Sequence, residues 1–124
     1  MIWLYVAAGG VAGTLARFWL GGAIQRFAPG HFPLGTFAVN VIGSLLLGFL
    51  MKLALGSQAV SAEGRAALGI GFCGAFTTFS TLAYETVTLI EDGRWLGMLL
   101  YAGGSFLAGV FAIWLGFALA RAIL

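Results

Sequence analysis

Four long apolar stretches separated by short polar connections make up almost the whole chain. The stretches free of Asp, Glu, Lys and Arg are residues 1–16, 27–51, 66–84 and 95–120. Each is near or above the roughly 20 residues that a helix needs to cross about 30 Å of hydrocarbon. We therefore predict an all-α membrane protein, a single four-helix transmembrane domain over residues 1–124, with helices at roughly 2–24, 34–55, 65–90 and 95–122.

The composition excludes several classes of protein. Hydrophobic residues make up 61% of the chain and charged residues only 8%, whereas a soluble domain has about 25% charged residues. No Lys or Arg precedes the first apolar stretch and no clear cleavage site follows it, so we expect a retained helix and not a signal peptide. The six basic residues are scattered, which argues against nucleic-acid binding. One cysteine, Cys73, and one histidine, His31, cannot form a disulfide or a clustered metal site, and no nucleophile and base pair is evident, so we expect no enzyme.

The distribution of charge bears on topology. With four spans, Lys52, Arg65 and Arg121 lie on one side of the membrane, and Arg26 and Arg94 lie on the other. A bias this small gives the positive-inside rule little to act on. The chain could therefore insert in both orientations, and two copies could pair antiparallel. Small residues spaced four apart give a second hint of association, because they let helices approach closely; they are Gly9 and Gly13, Ser44 and Gly48, Ser105 and Gly109, and Gly116 and Ala120.

Polar residues within the predicted spans are the functional candidates, because they are costly in hydrocarbon. On the second helix, Thr36, Asn40 and Ser44 share one face with Gly43 and Gly48. Two readings of Asn40 stay open. Its amide either joins helices by a hydrogen bond, or it presents N–H groups to a passing anion.

The third helix carries a cluster that favours a break. Three glycines, the last of them Gly74, precede Thr77, Thr78, Ser80 and Thr81 near mid-membrane depth. Glycine lowers helix stability, and Ser and Thr side chains compete for backbone groups. We predict a break within residues 74–78, where carbonyl oxygens and helix ends could hold ions. The alternative is an unbroken helix whose hydroxyls bond to its own carbonyls.

Beyond the break, polar residues again fall on one face, which we expect to line water or a polar vestibule. They are Thr78, Thr81, Glu85 and Thr88. On the fourth helix, Tyr101 and Ser105 lie four apart and could extend a line of hydroxyls, although Tyr101 alone would more often be an interfacial anchor. The ring edge of Phe79, which carries partial positive charge, could also face an anion. This set suits a small, hard anion.

Three segments together resemble one known family. They are GGVAGTLAR at 9–17, GTFAVNVIGSLLLG at 35–48, and GFCGAFTTFST at 71–81 followed by Glu85. The chain resembles the small bacterial fluoride channels called Fluc or CrcB over essentially its entire length. The resemblance implies a multi-pass protein of the bacterial inner membrane that confers fluoride resistance by passive export of cytoplasmic fluoride. It also implies an antiparallel, dual-topology homodimer surrounded by lipid, with two pores and a structural sodium ion at the central interface.

The resemblance also assigns roles to residues. Gly74 and Thr77 would offer backbone carbonyls to sodium, two from each subunit. Asn40 would donate to fluoride and Phe79 would present its ring edge. Arg17 closes the first motif, and Leu82 departs from the pattern because the family often has a second phenylalanine there. Further pathway positions are Thr36, Tyr101 and Ser105, with Glu85 in the vestibule; Thr81 joins them because its hydroxyl could carry the ion past Leu82.

Two other functions are compatible with a small four-helix membrane protein. A proton-coupled exporter of the small multidrug type also uses four helices and dual topology, but it needs a membrane-embedded carboxylate, usually in the first helix. The first helix here has no acidic residue, and Glu85 lies late in the third. A purely structural subunit would explain the glycines but not the polar faces.

Overall fold

The computed structural model describes residues 1–124 and is built of helices joined by short connections. The all-α prediction is confirmed, and three predicted helices match the observed bounds to within one residue. Five helical elements follow in chain order: α1 (Ile2–Gln25), α2 (Leu34–Gly56), α3 (residues 62–76), α4 (Phe79–Glu91) and α5 (Trp95–Ile123).

Three segments are long and apolar enough to cross a membrane: Leu34–Gly56, Ala62–Glu91 and Trp95–Ile123. The second of these contains both α3 and α4. Helix α1 is 24 residues long, but Arg17 and five glycines lower its hydropathy. The chain is thus a multi-pass membrane protein, and the crossing by α1 stays a prediction.

The exterior of the subunit is apolar. Only 18 of the 124 residues are buried, while large side chains such as Trp3, Phe18 and Phe106 are more than two-thirds exposed. A water-facing protein rarely exposes so much contiguous apolar surface. Lipid or another protein therefore surrounds these helices.

Glycines allow close packing inside the subunit. Helix α1 packs on α3, and α2 packs on α5. A Cβ on Gly9 would overlap the Ala67 carbonyl, and one on Gly48 would lie 2.6 Å from the Ile113 carbonyl oxygen. These small residues serve contacts between helices of one subunit, so they are no evidence of association between subunits. Two further glycines make equally close approaches: Gly13 and Gly116.

The third predicted helix differs from an ordinary α-helix in two ways. Nine residues of α3, Arg65–Cys73, are wound as a π-helix, which the sequence analysis did not predict. The chain is then interrupted between Phe76 and Phe79, where Thr77 (φ −92°, ψ 155°) and Thr78 (φ −148°, ψ 112°) are extended. The predicted break is confirmed, and the alternative of an unbroken helix is wrong.

The connections between helices are held by local bonds. The Gln25 side chain donates from Nε2 to the Phe32 carbonyl (3.0 Å) and accepts from the Gly35 N–H (2.9 Å). The turns include Gly30 (φ 60°) and Gly93 (φ 69°), in the left-handed region that favours glycine. These contacts fix α1 against the start of α2, next to the polar region described below.

Candidate functional site

The break is held from α2 by the side chain of Asn40. Asn40 Oδ1 accepts from the Thr78 N–H at 2.7 Å, and Asn40 Nδ2 donates to the Thr78 carbonyl at 3.2 Å. In an unbroken helix the Thr78 N–H would donate to the Gly74 carbonyl. The Asn40 amide therefore replaces a helical bond. One of the two Nδ2 hydrogens remains available for another acceptor.

The break is held from α1 by Arg17. The Arg17 Nε–H donates to the Ala75 carbonyl at 2.9 Å. That carbonyl lies in the last turn of α3, where the next turn of helix is missing, so it needs another donor. Arg17, which the first motif singled out by resemblance alone, thus contacts the end of α3 directly.

Two backbone carbonyls at the break, those of Gly74 and Thr77, lack the hydrogen-bond donor that a continuous helix would supply. The Gly74 carbonyl has lost its usual donor, because the Thr78 N–H bonds to Asn40. The Thr77 carbonyl accepts no hydrogen bond, while the Thr77 N–H and hydroxyl both donate back to the Cys73 carbonyl (3.1 and 3.0 Å). Gly74 is exposed, and a Cβ there would meet no atom within 4 Å. Uncharged oxygen donors on an open face of the subunit are chemically suited to a hard cation such as sodium.

Helix α4 begins with a side-chain cap. Thr78 Oγ1 accepts from the Thr81 N–H (3.3 Å) and donates to Thr81 Oγ1 (2.9 Å). A threonine three residues before the bonded N–H is a common start signal of helices. The cap fixes the first turn of α4, and it also fixes the polar face on which Thr81 and Glu85 lie.

A polar cavity of about 350 Å³, here called the vestibule, opens beside this face. Its polar lining includes Arg17, Gln25, Thr36, Thr81 and Glu85. Within it, Thr36 Oγ1 donates to Glu85 Oε1 at 2.6 Å, a length typical of a strong bond to a carboxylate. Three of the four residues predicted on the polar face, Thr78, Thr81 and Glu85, line this cavity together with residues of α1 and α2, whereas Thr88 lies outside it and donates to the Tyr84 carbonyl.

A second cavity of about 370 Å³, here called the groove, lies on the other side of the break. It is lined by residues of α2, α4 and α5 together with the break itself. Thr78 lines both the groove and the vestibule. The groove is mostly apolar, with a few polar groups near the break, and Thr78 connects it to the polar vestibule. The predicted residues on the groove are Asn40, Thr77, Phe79 and Ser105, with Leu82 beside them.

Two buried hydroxyls on α5 lack hydrogen-bond partners. Tyr101 is completely buried, and Ser105 is 7% exposed; neither side-chain oxygen has a partner. The Tyr101 ring packs edge-on against Phe32 at 5.6 Å, and its hydroxyl is close to the side chains of Thr36 and Glu85. Its burial rules out the alternative of an interfacial anchor. Unpaired hydroxyls are costly when buried, so Ser105 offers a donor to water or to an anion, whereas Tyr101 can also donate to the nearby Glu85 carboxylate.

The two phenylalanines around the threonine pair have different surroundings. Phe76 is buried and stacks on Phe72 with ring centroids 5.5 Å apart, so it is a packing residue. Phe79 is 82% exposed and stands on the wall of the groove near Leu82. The structure therefore leaves the Phe79 ring free to face a partner or an ion.

Some residues of the site were not predicted as pathway residues. Thr78 was expected at the break and on the polar face of α4, but the two hydrogen bonds between its peptide group and Asn40 were not predicted. Gln25 and Ser44 line the vestibule and the groove respectively. The cap signature Thr78-x-x-Thr81 was a signal in the sequence. An interhelical hydrogen bond was one of the two readings of Asn40, but nothing in the spacing identified its partner, the Thr78 peptide group.

Comparison with known proteins places these features in a family context. Residues 4–117 match the family described as CrcB-like protein, Camphor Resistance (CrcB). Three similar proteins bear the names Fluoride-specific ion channel FluC or FluC 2. The protein from Moorella thermoacetica is 51% identical over 120 residues, 94% of this chain and 93% of its own. That from Nitratidesulfovibrio vulgaris (strain Miyazaki F) is 47% identical over 114 residues, 92% of each chain. That from Pyrococcus furiosus is 45% identical over 116 residues, 94% and 93% of the two chains.

Proposed function

The chain belongs to the CrcB family, and from this premise we propose that it is a fluoride channel that lets the ion leave the cell by passive electrodiffusion. The relatives are named as fluoride-specific ion channels over more than nine-tenths of the chain. Because the family is one of ion channels, the prediction that the chain is not an enzyme is confirmed.

The observation that carries the proposal is the pair of buried hydroxyls on α5, one near the polar pair of the vestibule and one on the groove. Tyr101 is close to the vestibule pair Thr36 and Glu85, and Ser105 lines the groove with Asn40 and Thr78. We place the route of fluoride from the vestibule past Thr78 into the groove. Along it the ion would exchange water for hydroxyl donors, while the two charged groups of the vestibule, Arg17 and Glu85, are each held by a hydrogen bond.

Selectivity would follow from strong, short hydrogen bonds. A small anion loses more hydration energy than a large one, so it needs more donors in a dry site. The candidates are the second Nδ2 hydrogen of Asn40, the hydroxyls of Thr81, Tyr101 and Ser105, and the ring edge of Phe79. Glu85 accepts a hydrogen bond from Thr36 and would hold the polar side chains of the vestibule in place.

The free carbonyls of Gly74 and Thr77 suit a structural sodium ion. Three observations support the fit. The Thr78 N–H bonds to Asn40 and not to the Gly74 carbonyl, the Thr77 carbonyl accepts no hydrogen bond, and the face at Gly74 is open. One subunit offers only two such oxygens, so a second copy would complete the site. When bound, sodium supplies a fixed positive charge that lowers the cost of an anion nearby. Asn40 and Arg17 hold the backbone that presents these oxygens.

The assembly we propose is an antiparallel homodimer with two pores, inserted in both orientations in the plasma membrane. Its support is the near balance of basic residues on the two sides. The exposed Phe79 and Gly74 at the break agree with a surface covered by a partner. The crossing by α1, as a fourth span, belongs to the same proposal.

A test should separate the channel from a proton-coupled exporter. Purified protein in liposomes loaded with potassium fluoride should release fluoride only after a potassium ionophore balances the charge. A channel gives this dependence because fluoride moves alone. Rapid net release without ionophore, driven by a proton gradient, would overturn the channel proposal and favour the exporter.

A further inference from the structure

We propose that Arg17 is a positioning residue for the helix break and that its hydrogen bond, rather than its charge, is what the channel needs. The inference rests on the proposed sodium-containing channel and adds a residue that sets the geometry of its cation site. Arg17 contacts the chain at Ala75, which lies between the two carbonyls, Gly74 and Thr77, assigned to sodium.

The contact engages one particular nitrogen. Arg17 bonds to Ala75 through Nε, the nitrogen nearest the backbone, at 2.9 Å. No ion pair or hydrogen bond joins Arg17 to Glu85, the carboxylate that lines the same cavity and accepts from Thr36. The only protein partner of the Arg17 side chain is therefore a backbone carbonyl of the break.

The bond adds a second restraint to a segment in which the run of helical backbone bonds ends at the Thr77 N–H. Asn40 holds Thr78 from α2, on the far side of Thr77, and Arg17 holds Ala75 from α1. Between the two anchors, Thr77 is extended and its carbonyl is unbonded. Fixing both ends of this short segment fixes the direction of the Gly74 and Thr77 oxygens, which a cation site needs to within a fraction of an ångström.

Side-chain chemistry offers a test that separates bond from charge. Counting along the side chain, glutamine places its amide Nε2 where arginine has Nε, so Arg17→Gln keeps a donor at that position and removes the charge. Lysine places a methylene there and its ammonium one atom further, so Arg17→Lys keeps the charge and removes the donor. Methionine offers neither. Arg26→Gln, in the first connection, removes a charge that makes no contact with the break and serves as the matched control.

The first measurement is the sodium concentration that gives half-maximal fluoride efflux from liposomes. We expect Arg17→Lys and Arg17→Met to raise it at least tenfold, which corresponds to about 1.4 kcal/mol. For Arg17→Gln and Arg26→Gln, this sodium concentration should stay within about threefold of the parent value, a difference of less than about one kcal/mol. The opposite order would overturn the proposal. If Arg17→Lys kept the parent's sodium concentration and Arg17→Gln raised it, the channel would need the positive charge of Arg17 in the vestibule and not its hydrogen bond.

The second measurement does not depend on transport. Amide hydrogen exchange of the segment 74–81 in detergent should be faster in Arg17→Lys and Arg17→Met than in Arg17→Gln, with or without sodium. Equal exchange in all three variants, or equal failure of Gln and Lys to assemble, would contradict the role. If the parent shows no sodium dependence, the proposed cation site fails, but the exchange pattern still decides whether Arg17 positions the break.

Discussion

Replacing Asn40 by aspartate tests the bond on which the break depends. Aspartate keeps an oxygen that can accept from the Thr78 N–H, now at 2.7 Å from Asn40 Oδ1. It replaces Nδ2 by a second oxygen, which would face the Thr78 carbonyl where a donor now stands at 3.2 Å. The substitution thus preserves shape and one hydrogen bond, but it turns the other into a repulsive contact and removes the donor proposed for fluoride.

The expected loss is large enough to measure easily. Leaving a buried carbonyl without its donor costs about 1–3 kcal/mol. A carboxylate about 5 Å from a passing anion adds about 3 kcal/mol of repulsion at an effective dielectric of about 20. Since each 1.36 kcal/mol at the barrier is tenfold in rate, even half of this total slows efflux by about a hundredfold.

Fluoride efflux from liposomes is the assay, with protein confirmed as folded by its elution from a sizing column. Asn40→Ser is the matched control, because it loses the bonds to Thr78 without adding charge. We expect the efflux rate of Asn40→Ser to be about tenfold below that of the parent, which corresponds to the lower end of the cost of an unpaired buried group. The efflux rate of Asn40→Asp should be at least another tenfold lower. Near-normal efflux from folded Asn40→Asp protein would refute the reasoning and return Asn40 to the role of packing residue.

The other substitutions probe the ring, the topology and the packing. Phe79→Leu keeps bulk but removes the ring edge, worth on the order of 1 kcal/mol, so efflux should fall about fivefold while Leu82→Phe is tolerated; equal, normal rates would make Phe79 a packing residue only. Two or three lysines added within residues 57–61 should force one orientation and abolish efflux until an oppositely biased copy is co-expressed; full activity of a single forced orientation would exclude the antiparallel dimer. Gly48→Val should prevent close packing of α2 on α5 and lower the yield of folded protein, because a Cβ there lies 2.6 Å from the Ile113 carbonyl oxygen; normal thermal stability would contradict that packing.

The sequence predicted the architecture well because membrane helices are fixed by length and hydropathy. The bounds of α1, α2 and α5 follow from charge-free runs and from the turns around Pro29 and Gly93. The break was predictable because glycine and threonine both weaken a helix. At the break, the weak helix propensity of glycine and threonine and the hydrogen bonds from Asn40 favour the same interrupted backbone.

Other features could not be predicted because they depend on contacts distant in sequence. The π-helix Arg65–Cys73 meets α1 at Gly9 and Gly13, an approach that no local pattern reveals. The same holds for the bonds of Asn40 and Arg17 to the break, which join residues 38 and 58 positions apart. The small-residue pairs suggested association, but Gly9, Gly13, Gly48 and Gly116 face other helices of the same subunit, since spacing alone does not tell which helix lies opposite.

The most direct test of a fluoride-selective channel uses the purified protein alone. Liposomes containing only this protein, loaded with equal potassium fluoride and potassium chloride and treated with a potassium ionophore, are followed with a fluoride electrode and a chloride electrode. The account predicts rapid release of fluoride while chloride stays inside, because only the small anion forms bonds strong enough to replace its water. Equal release of both ions, or release of neither from folded protein, would contradict it.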